Sequence, residues 1–371
     1  MSVTSPPVEE HRGTTTVLGG VPSTVDEPRR RLERFSSDDL FELLGSAISA
    51  LALMWVIFDR LVAFEGVFGF VVCVYLMFLC IYAVVSGQHH GRLAASDRVM
   101  TVVMWSAGAL VVGLLVMVIG YVIVRGLPGL RPNFFTETLA TTGSLDPATA
   151  GGGLHSIVGT FQQVGIALLI SLPVAMVTAV YLNEVGGRFA KPVRFVIDAM
   201  SGIPSIVAGL FIYAIWIVPS GRGYSGFAAA LALSIIMLPT ICRTALEMLR
   251  LVPDGLREAA LALGAPRWSV TWKIVLPTAR SGLVTAVILG VARAVGETAP
   301  VLLTSFGSSV MNGNPFAGPQ DNLPLFVWKQ IGSFKDAQQE RAWIGAFVLI
   351  VLVLTAFTAA RWLGNKNRKT R

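Results

Sequence analysis

The sequence predicts an all-α, polytopic membrane protein, and three observations carry that expectation. Hydrophobic residues make up 54% of the 371-residue chain and charged residues only 14%, against the roughly 25% charge of soluble domains. Mean hydropathy is +0.67. Several apolar runs reach the roughly 20 residues that a helix needs to cross a bilayer.

The elements follow in chain order. Residues 1–41 are rich in Thr, Pro, Glu and Arg and poor in aromatics, the composition of a disordered tail. They show no charged opening followed by a short apolar core and a small-residue cleavage site, so no signal peptide is expected. Arg29, Arg30, Arg31 and Arg34 read as an anchor ahead of the first span. Eight apolar spans come next, at about 42–58, 66–86, 99–125, 154–183, 195–219, 225–249, 281–304 and 341–363. Asp59, Arg60 and Glu65 crowd the first connection, which reads as a tight hairpin. Residues 42–97 thus form a transmembrane hairpin with its following loop, 98–365 a six-span core, and 366–371 a basic tail.

Lys and Arg placement orients the spans. With the N-terminus inside, roughly 21 of 29 basic residues fall on the inner side, as the positive-inside rule requires. An even number of spans returns the C-terminus to the same side, so both termini are expected in the cytoplasm. The stretch 250–280 is then cytoplasmic. The connections 126–153 and 305–340, rich in Gly, Pro, Asn and Thr, face outward. The formal charge of +7 reflects this topology and does not point to nucleic acid. Cys73, Cys80 and Cys242 lie in or beside apolar segments and read as small buried hydrophobes. His89 and His90 adjoin in a polar loop with no further ligand nearby, a poor metal site.

The stretch EAALALGAPRWSVTWKIVLP (258–277) interrupts the apolar pattern. It predicts two short helices at an angle. Asp254 is placed to cap the first, and Leu256, Ala260 and Leu263 share a face at helical spacing. Gly264 permits a left-handed stop. Pro266 suits the first turn of the next helix, where Trp268, Trp272 and Val275 repeat the apolar spacing opposite Arg267 and Lys273, and Pro277 ends it. Periodicity alone fits equally well an amphipathic helix lying on a membrane surface.

The spacing is more specific than the periodicity. Glu258, Ala259, Ala260, Gly264, Ile274, Leu276 and Pro277 fill the pattern Glu-Ala-Ala, three residues, Gly, nine residues, Ile, one residue, Leu-Pro. This resembles the EAA motif of bacterial ABC importer permeases, whose role is a coupling helix docked in a groove of an ATP-hydrolysing subunit. The resemblance makes those seven positions the expected docking residues, with Glu258 meeting a basic residue at the groove's rim. Trp268 and Trp272 would anchor the lever. The chain has no Gly-Lys pair, so it lacks the phosphate-cradling loop of a nucleotide-binding site. It is not expected to be an enzyme or to hold a cofactor; ATP and magnesium would belong to a separate subunit.

Two ionisable pairs narrow the cargo. Arg293 and Glu297 are four apart inside an apolar span, hence expected on one helix face, and Arg243 and Glu247 repeat the spacing. Ionisable groups at membrane depth cost at least about 2.5 kcal/mol each and mark pathways; the alternative is that each pair neutralises itself to hold helices together. An arginine in a low-dielectric channel favours an oxyanion, because its planar fork donates two parallel bonds. Pro204, in SGIPSIVAGLF (201–211), is expected to kink its span, with Ser201 and Ser205 adding hydroxyls.

Taken together, FFTETLATTG (134–143), GGGLHSIVGT (151–160), AVYLNEVG (179–186), SGIPSIVAGLF, RTALEMLRLVPDGLREAALALGAPRW (243–268) and ARAVGETAPVLLTSFG (292–307) resemble the phosphate-specific ABC importer permeases. GETAP points to their PstA-type subunit. The resemblance covers about 98–365. It implies a type I, MetI-like permease core paired with a PstC-type permease, two PstB-type ATPase subunits beneath and a PstS-type phosphate-binding protein outside. It also implies a translocation role for Arg243, Glu247, Arg293 and Glu297, with Ser205 beside them. The N-terminal pair of spans is additional to that pattern. A sulfate or molybdate permease would carry the same motif; a gradient-driven secondary transporter would not need it.

Overall fold

The computed structural model describes residues 37–58 and 66–366. The tail before residue 37, the first connection with Asp59, Arg60 and Glu65, and the last residues of the basic tail lie outside the described residues. Among those described, the structure is helical, with two isolated bridges and no extended strand. The chain divides into two units, Met1–Gly113 and Leu114–Arg371.

In the first unit, α1 (Ser37–Val56) begins ahead of the expected span, with Asp38 and Asp39 in its first turn, where carboxylates favour the positive helix end. The second helix, α2 (Val67–Gly126), runs 60 residues and breaks at Gly91, whose φ of 82° is left-handed. A straight helix of that length would measure about 90 Å, roughly three bilayer cores. The Gly91 break folds it back instead, since Tyr75 on one arm bonds Ser106 on the other. The expected polar loop is therefore helical on both sides of a single glycine. Arg98 pairs with Asp39 at 2.7 Å and Glu42 at 3.5 Å, and His89 approaches Glu42 at 3.2 Å. The two histidines thus face a carboxylate.

The second unit comprises the end of α2 from Leu114 onward, then α3 (Asn133–Thr136), α4 (Leu154–Val180), α5 (Ala190–Ser201), α6 (Ser205–Ile212), α7 (Val218–Ser220), α8 (Gly226–Arg250), α9 (Asp254–Ala262), α10 (Arg267–Val270), α11 (Leu276–Val295), α12 (Ala299–Ser305), α13 (Leu323–Ile331) and α14 (Asp336–Lys366). Among the described residues, six helices are long and apolar enough to span a membrane, and α5 with α6–α7 forms a broken span bent by 104°. Counting the two arms of α2 separately recovers the eight expected segments.

At the centre stands α8. Ala228, Ala229, Ala230 and Ala232 are fully buried, as are Leu233, Met237 and Ile241 further along. Small residues let neighbouring backbones approach closely, the main source of helix adhesion where lipid replaces water. Packed on α8 are α4, α11, α12, α5 and α6. Cys242 is buried here, whereas Cys80 is exposed on α2, so the reading of buried hydrophobes fails for Cys80. Val71, Leu76 and Val84 on the same arm of α2 are exposed as well.

Two other spans are discontinuous. Instead of kinking its helix, Pro204 starts α6 after a full break at Gly202–Ile203, because proline cannot donate to the preceding turn. The second break, at Gly296–Thr298, separates α11 from α12. The half-helices α6 and α12 meet where Gly209 faces Pro300, so closely that a methyl group on Gly209 would approach the Pro300 Cα to 2.7 Å. Gly209→Ala is therefore expected to lower stability by about 1–3 kcal/mol through overpacking, read as a lower melting temperature of the detergent-purified protein.

Candidate functional site

The chain turns sharply where α8 ends. Arg257 donates to two carbonyl oxygens at this turn, Leu249 through Nη2 at 3.0 Å and Val252 through Nη1 at 2.7 Å. The same guanidinium reaches Asp254 at 2.8 Å and Glu184 at 3.1 Å. Glu184 belongs to a wide π turn, Tyr181–Val185, that ends the α4 span, and it also accepts from Asn183. Arg257 and Glu184 are 16% and 11% exposed, enough burial to make the pair matter. This clamp fixes α9 against the ends of two spans. Beside it lies a cavity of about 410 Å³ lined by Glu184, Arg250, Arg257, Arg267 and Thr271 among others.

Beyond the clamp, Gly264 adopts φ +82°, the left-handed stop expected, and its N–H bonds to Leu261. Four details differ from expectation. Asp254 lies inside the first turn and makes no cap bond, because Pro253 holds the cap position; its carboxylate pairs with Arg257. Pro266 likewise precedes α10. Ala260 is buried while Leu256 and Leu263 are exposed, so these three do not share one buried face. Last, Pro277 does not end a helix. The chain stays helical from Arg267 to Val295 because a π turn, Thr271–Val275, widens the ladder just before the proline. Of the seven motif positions, Glu258, Ala259, Gly264 and Pro277 are exposed, Ala260 is buried, and Ile274 and Leu276 are half-buried. Trp268 and Trp272 are exposed and Val275 is buried.

The charged residues of the spans take partners other than those expected. Arg243 donates to Asp198 of α5 at 2.6 Å, and Glu247 pairs with Arg250 at 2.8 Å. The Arg243–Glu247 pair is thus not formed, since Asp198 projects from the helix packed alongside. Arg293 and Glu297 do not share a helix face either, because α11 ends at Val295; neither carries an ion pair or side-chain hydrogen bond among the described residues. Arg243, Glu247 and Arg250 form an exposed stripe on the otherwise buried α8, and Arg293 is exposed as well. Arg293 lines a small cavity with Ser201, Ile203, Pro239 and Thr240. Ser205 is half-buried at the start of α6, directly after the break. This arrangement presents cationic forks with carboxylates nearby, suited to holding an oxyanion. No group of three potential metal ligands occurs among the described residues.

At the opposite end of α8 lies a buried polar cluster that sequence reading did not single out. Ser156 donates to Asp321 at 2.9 Å, and Thr160 accepts from the Leu323 N–H at 2.9 Å, tying the 306–322 loop to α4. His155 approaches the same carboxylate at 3.7 Å. Lys329 stands 3.8 Å from Asp321, in ion-pair range but beyond a hydrogen bond, and donates to the Phe306 carbonyl. Burial pushes the Asp321 carboxyl up to about 6, offset only in part by Lys329 and by the Ser156 bond. The signals were the His155-Ser156 step in GGGLHSIVGT and a lone carboxylate between Gln320 and Asn322.

Comparison with known proteins places this arrangement in context. Residues 171–369 match the family model described as the binding-protein-dependent transport system inner membrane component. The phosphate transport system permease protein PstA 1 of Mycobacterium tuberculosis (strain H37Rv) is 41% identical over 260 residues, covering 69% of this chain and 84% of that protein. PstA of Mycobacterium leprae is 38% identical, covering 71% and 86%, and PstA of Haemophilus influenzae is 38% identical, covering 64% and 83%. A solved structure of the MetNI methionine ABC transporter in inward-facing form aligns with 22% identity and a TM-score of 0.41, covering 58% of this chain and 94% of that one.

Two outcomes are expected. Arg257→Ala should cost about 1–3 kcal/mol, because Glu184 and two carbonyls lose a charged donor in a mostly buried site; limited proteolysis within 254–276 should quicken accordingly. For Asp321, a folded pKa above the unfolded 3.8 adds stability that is complete below 3.8 and lost as pH rises through about 6. Asp321→Asn should therefore melt above the parent at pH 7.5, by up to about 2–3 kcal/mol of stability, with the gap closing at pH 4.5.

Proposed function

This chain belongs to the binding-protein-dependent inner-membrane permeases of the PstA type, and we propose that it is the transmembrane permease subunit of an ATP-driven importer of inorganic phosphate. The observation that carries the reading is the joining of two features by one continuous helix. The clamped elbow at 254–277 and the unpaired Arg293 lie at opposite ends of the helical stretch from Arg267 to Val295.

In this reading the elbow end is cytoplasmic. A pair of PstB-type ATPase subunits grips α9 through Glu258, Ala259 and the exposed Leu256 and Leu263, and supplies all ATP and magnesium chemistry. Closure of that pair on ATP draws the elbow with it. Motion passes to α4 through Arg257 and Glu184, and to the path through α10 and α11. A PstC-type sibling completes the lumen, since the stripe Arg243, Glu247, Arg250 is open on this chain alone. Phosphate arrives from a PstS-type binding protein at the loop end, meets Arg293 near the paired helix breaks, and moves along α8 past Arg243. Bidentate arginine suits its geometry, while Glu297 and Glu247 compete for the cations and prevent trapping. Ser205 and the hydroxyl-bearing break lie beside this route.

The test is uptake of labelled phosphate into proteoliposomes holding the complete complex. Arg293→Gln should lower uptake at least tenfold, the scale of one lost charge-assisted contact, while the complex still assembles. Excess sulfate or molybdate should compete poorly; effective competition would transfer the reading to another oxyanion. Uptake that persists without the ATPase subunits, driven by an ion gradient, would overturn it.

A further inference from the structure

The two arginines of the proposed path are in different states. Arg293 has no ion-pair partner among the described residues, whereas Arg243 is held by Asp198 at 2.6 Å. That pair is not a buried structural bridge, because its side chains are 49% and 52% exposed. Its place follows from helix periodicity. Ser201 and Thr240 line the cavity with Arg293; Asp198 lies three residues before Ser201 on α5, and Arg243 three residues after Thr240 on α8. The ion pair therefore sits one helical turn from the Arg293 cavity, toward the elbow end.

Around that cavity the hydroxyls are already committed as donors. Ser201 donates to the Ile197 carbonyl at 2.9 Å and Thr240 to the Ile236 carbonyl at 3.3 Å. Arg293 and Arg243 are then the cationic donors left for an oxyanion, and only one of them is vacant. An anion leaving Arg293 toward the elbow end next meets a guanidinium that already has a carboxylate.

We propose that Asp198 is a built-in competitor for the transported anion: it releases Arg243 when phosphate arrives and reclaims it afterwards, expelling phosphate toward the elbow side. This rests on the reading above that Arg293 and Arg243 line the path. The exposure of the pair makes it exchangeable, since water screens the attraction and both side chains retain freedom. A phosphate dianion outbids one carboxylate for a fork that donates two parallel bonds. Once the anion moves on, α5 returns its carboxylate at no cost in burial. Asp198 also stands just before the Gly202–Pro204 break, so a shift of α5 against α6 changes its reach to α8 without unfolding either helix. Asp198 is thus a positioning residue acting through Arg243.

The experiment uses the complete complex in proteoliposomes, with inorganic phosphate preloaded on the ATPase side at graded concentrations. Asp198→Asn is expected to slow maximal uptake and to halve it at about fivefold lower preloaded phosphate, the equivalent of one exposed ion pair. Asp198→Glu should restore the parental inhibition curve. In the Arg243→Gln background, Asp198→Asn should leave the curve where Arg243→Gln alone puts it. Slower uptake with an unchanged inhibition curve would mean a merely structural role and overturn the proposal, as would an unchanged rate and curve. Should Asp198→Asn fail to assemble, Asp198→Ser, which also removes the competing carboxylate, is read by the same curve with the same two outcomes. Arg243→Gln alone tests the path reading separately: undiminished uptake there removes Arg243 from the route whatever Asp198 does.

Discussion

A helix that ends at a membrane boundary must do something with its last carbonyl oxygens, and at the end of α8 one side chain joins the backbone in doing so. Arg257 lies just downstream, beyond the turn, and reaches back to the carbonyls of Leu249 and Val252 while also meeting Glu184 at the end of α4. A cation at a helix C-terminus is favoured by the aligned peptide dipoles. Because the guanidinium is planar and offers five donors, it serves several acceptors in a fixed geometry. The elbow's angle to the bundle is thereby set by hydrogen bonds, with Gly264 setting the angle within it.

Much of the architecture was legible in the sequence because the bilayer imposes a simple rule. Apolar length alone located the segments, and the Glu-Ala-Ala pattern located the elbow down to its left-handed glycine. What was not legible is what side chains do across helices. A spacing of four suggested Arg243 with Glu247 and Arg293 with Glu297, yet the first arginine turned to Asp198 and the second pair was divided by the end of α11. Sequence spacing reports only neighbours on one helix, whereas α5 brings a carboxylate from 45 residues away. Asp198 was not singled out, although it is an ionisable residue within the expected 195–219 span. The His155–Asp321 cluster was hidden for the same reason, its partners being 165 residues apart at the Ser156 bond.

Proline misled in two directions. Pro204 broke a span that was expected only to kink: Gly202 still has helical dihedrals, and the chain leaves the helix at Pro204 itself, with ψ 139°. Pro277 left intact a helix it was expected to terminate. At Pro277 the determining factor was the widened backbone just ahead of the ring, which a residue-by-residue reading weighs too little. The two broken spans, joined where Gly209 meets Pro300, give the centre of the unit short, separately packed half-helices where long rigid rods would otherwise stand.

The wide turn at Thr271–Val275 has a torsional meaning as well. It holds one residue more than α-helical register, and each residue of an α-helix accounts for about 100° of rotation about its axis. Travel of that surplus residue by a single place along the stretch would swivel everything between its old and new positions. A pull on the elbow that moved the surplus residue would therefore twist the residues it passes as well as displace them.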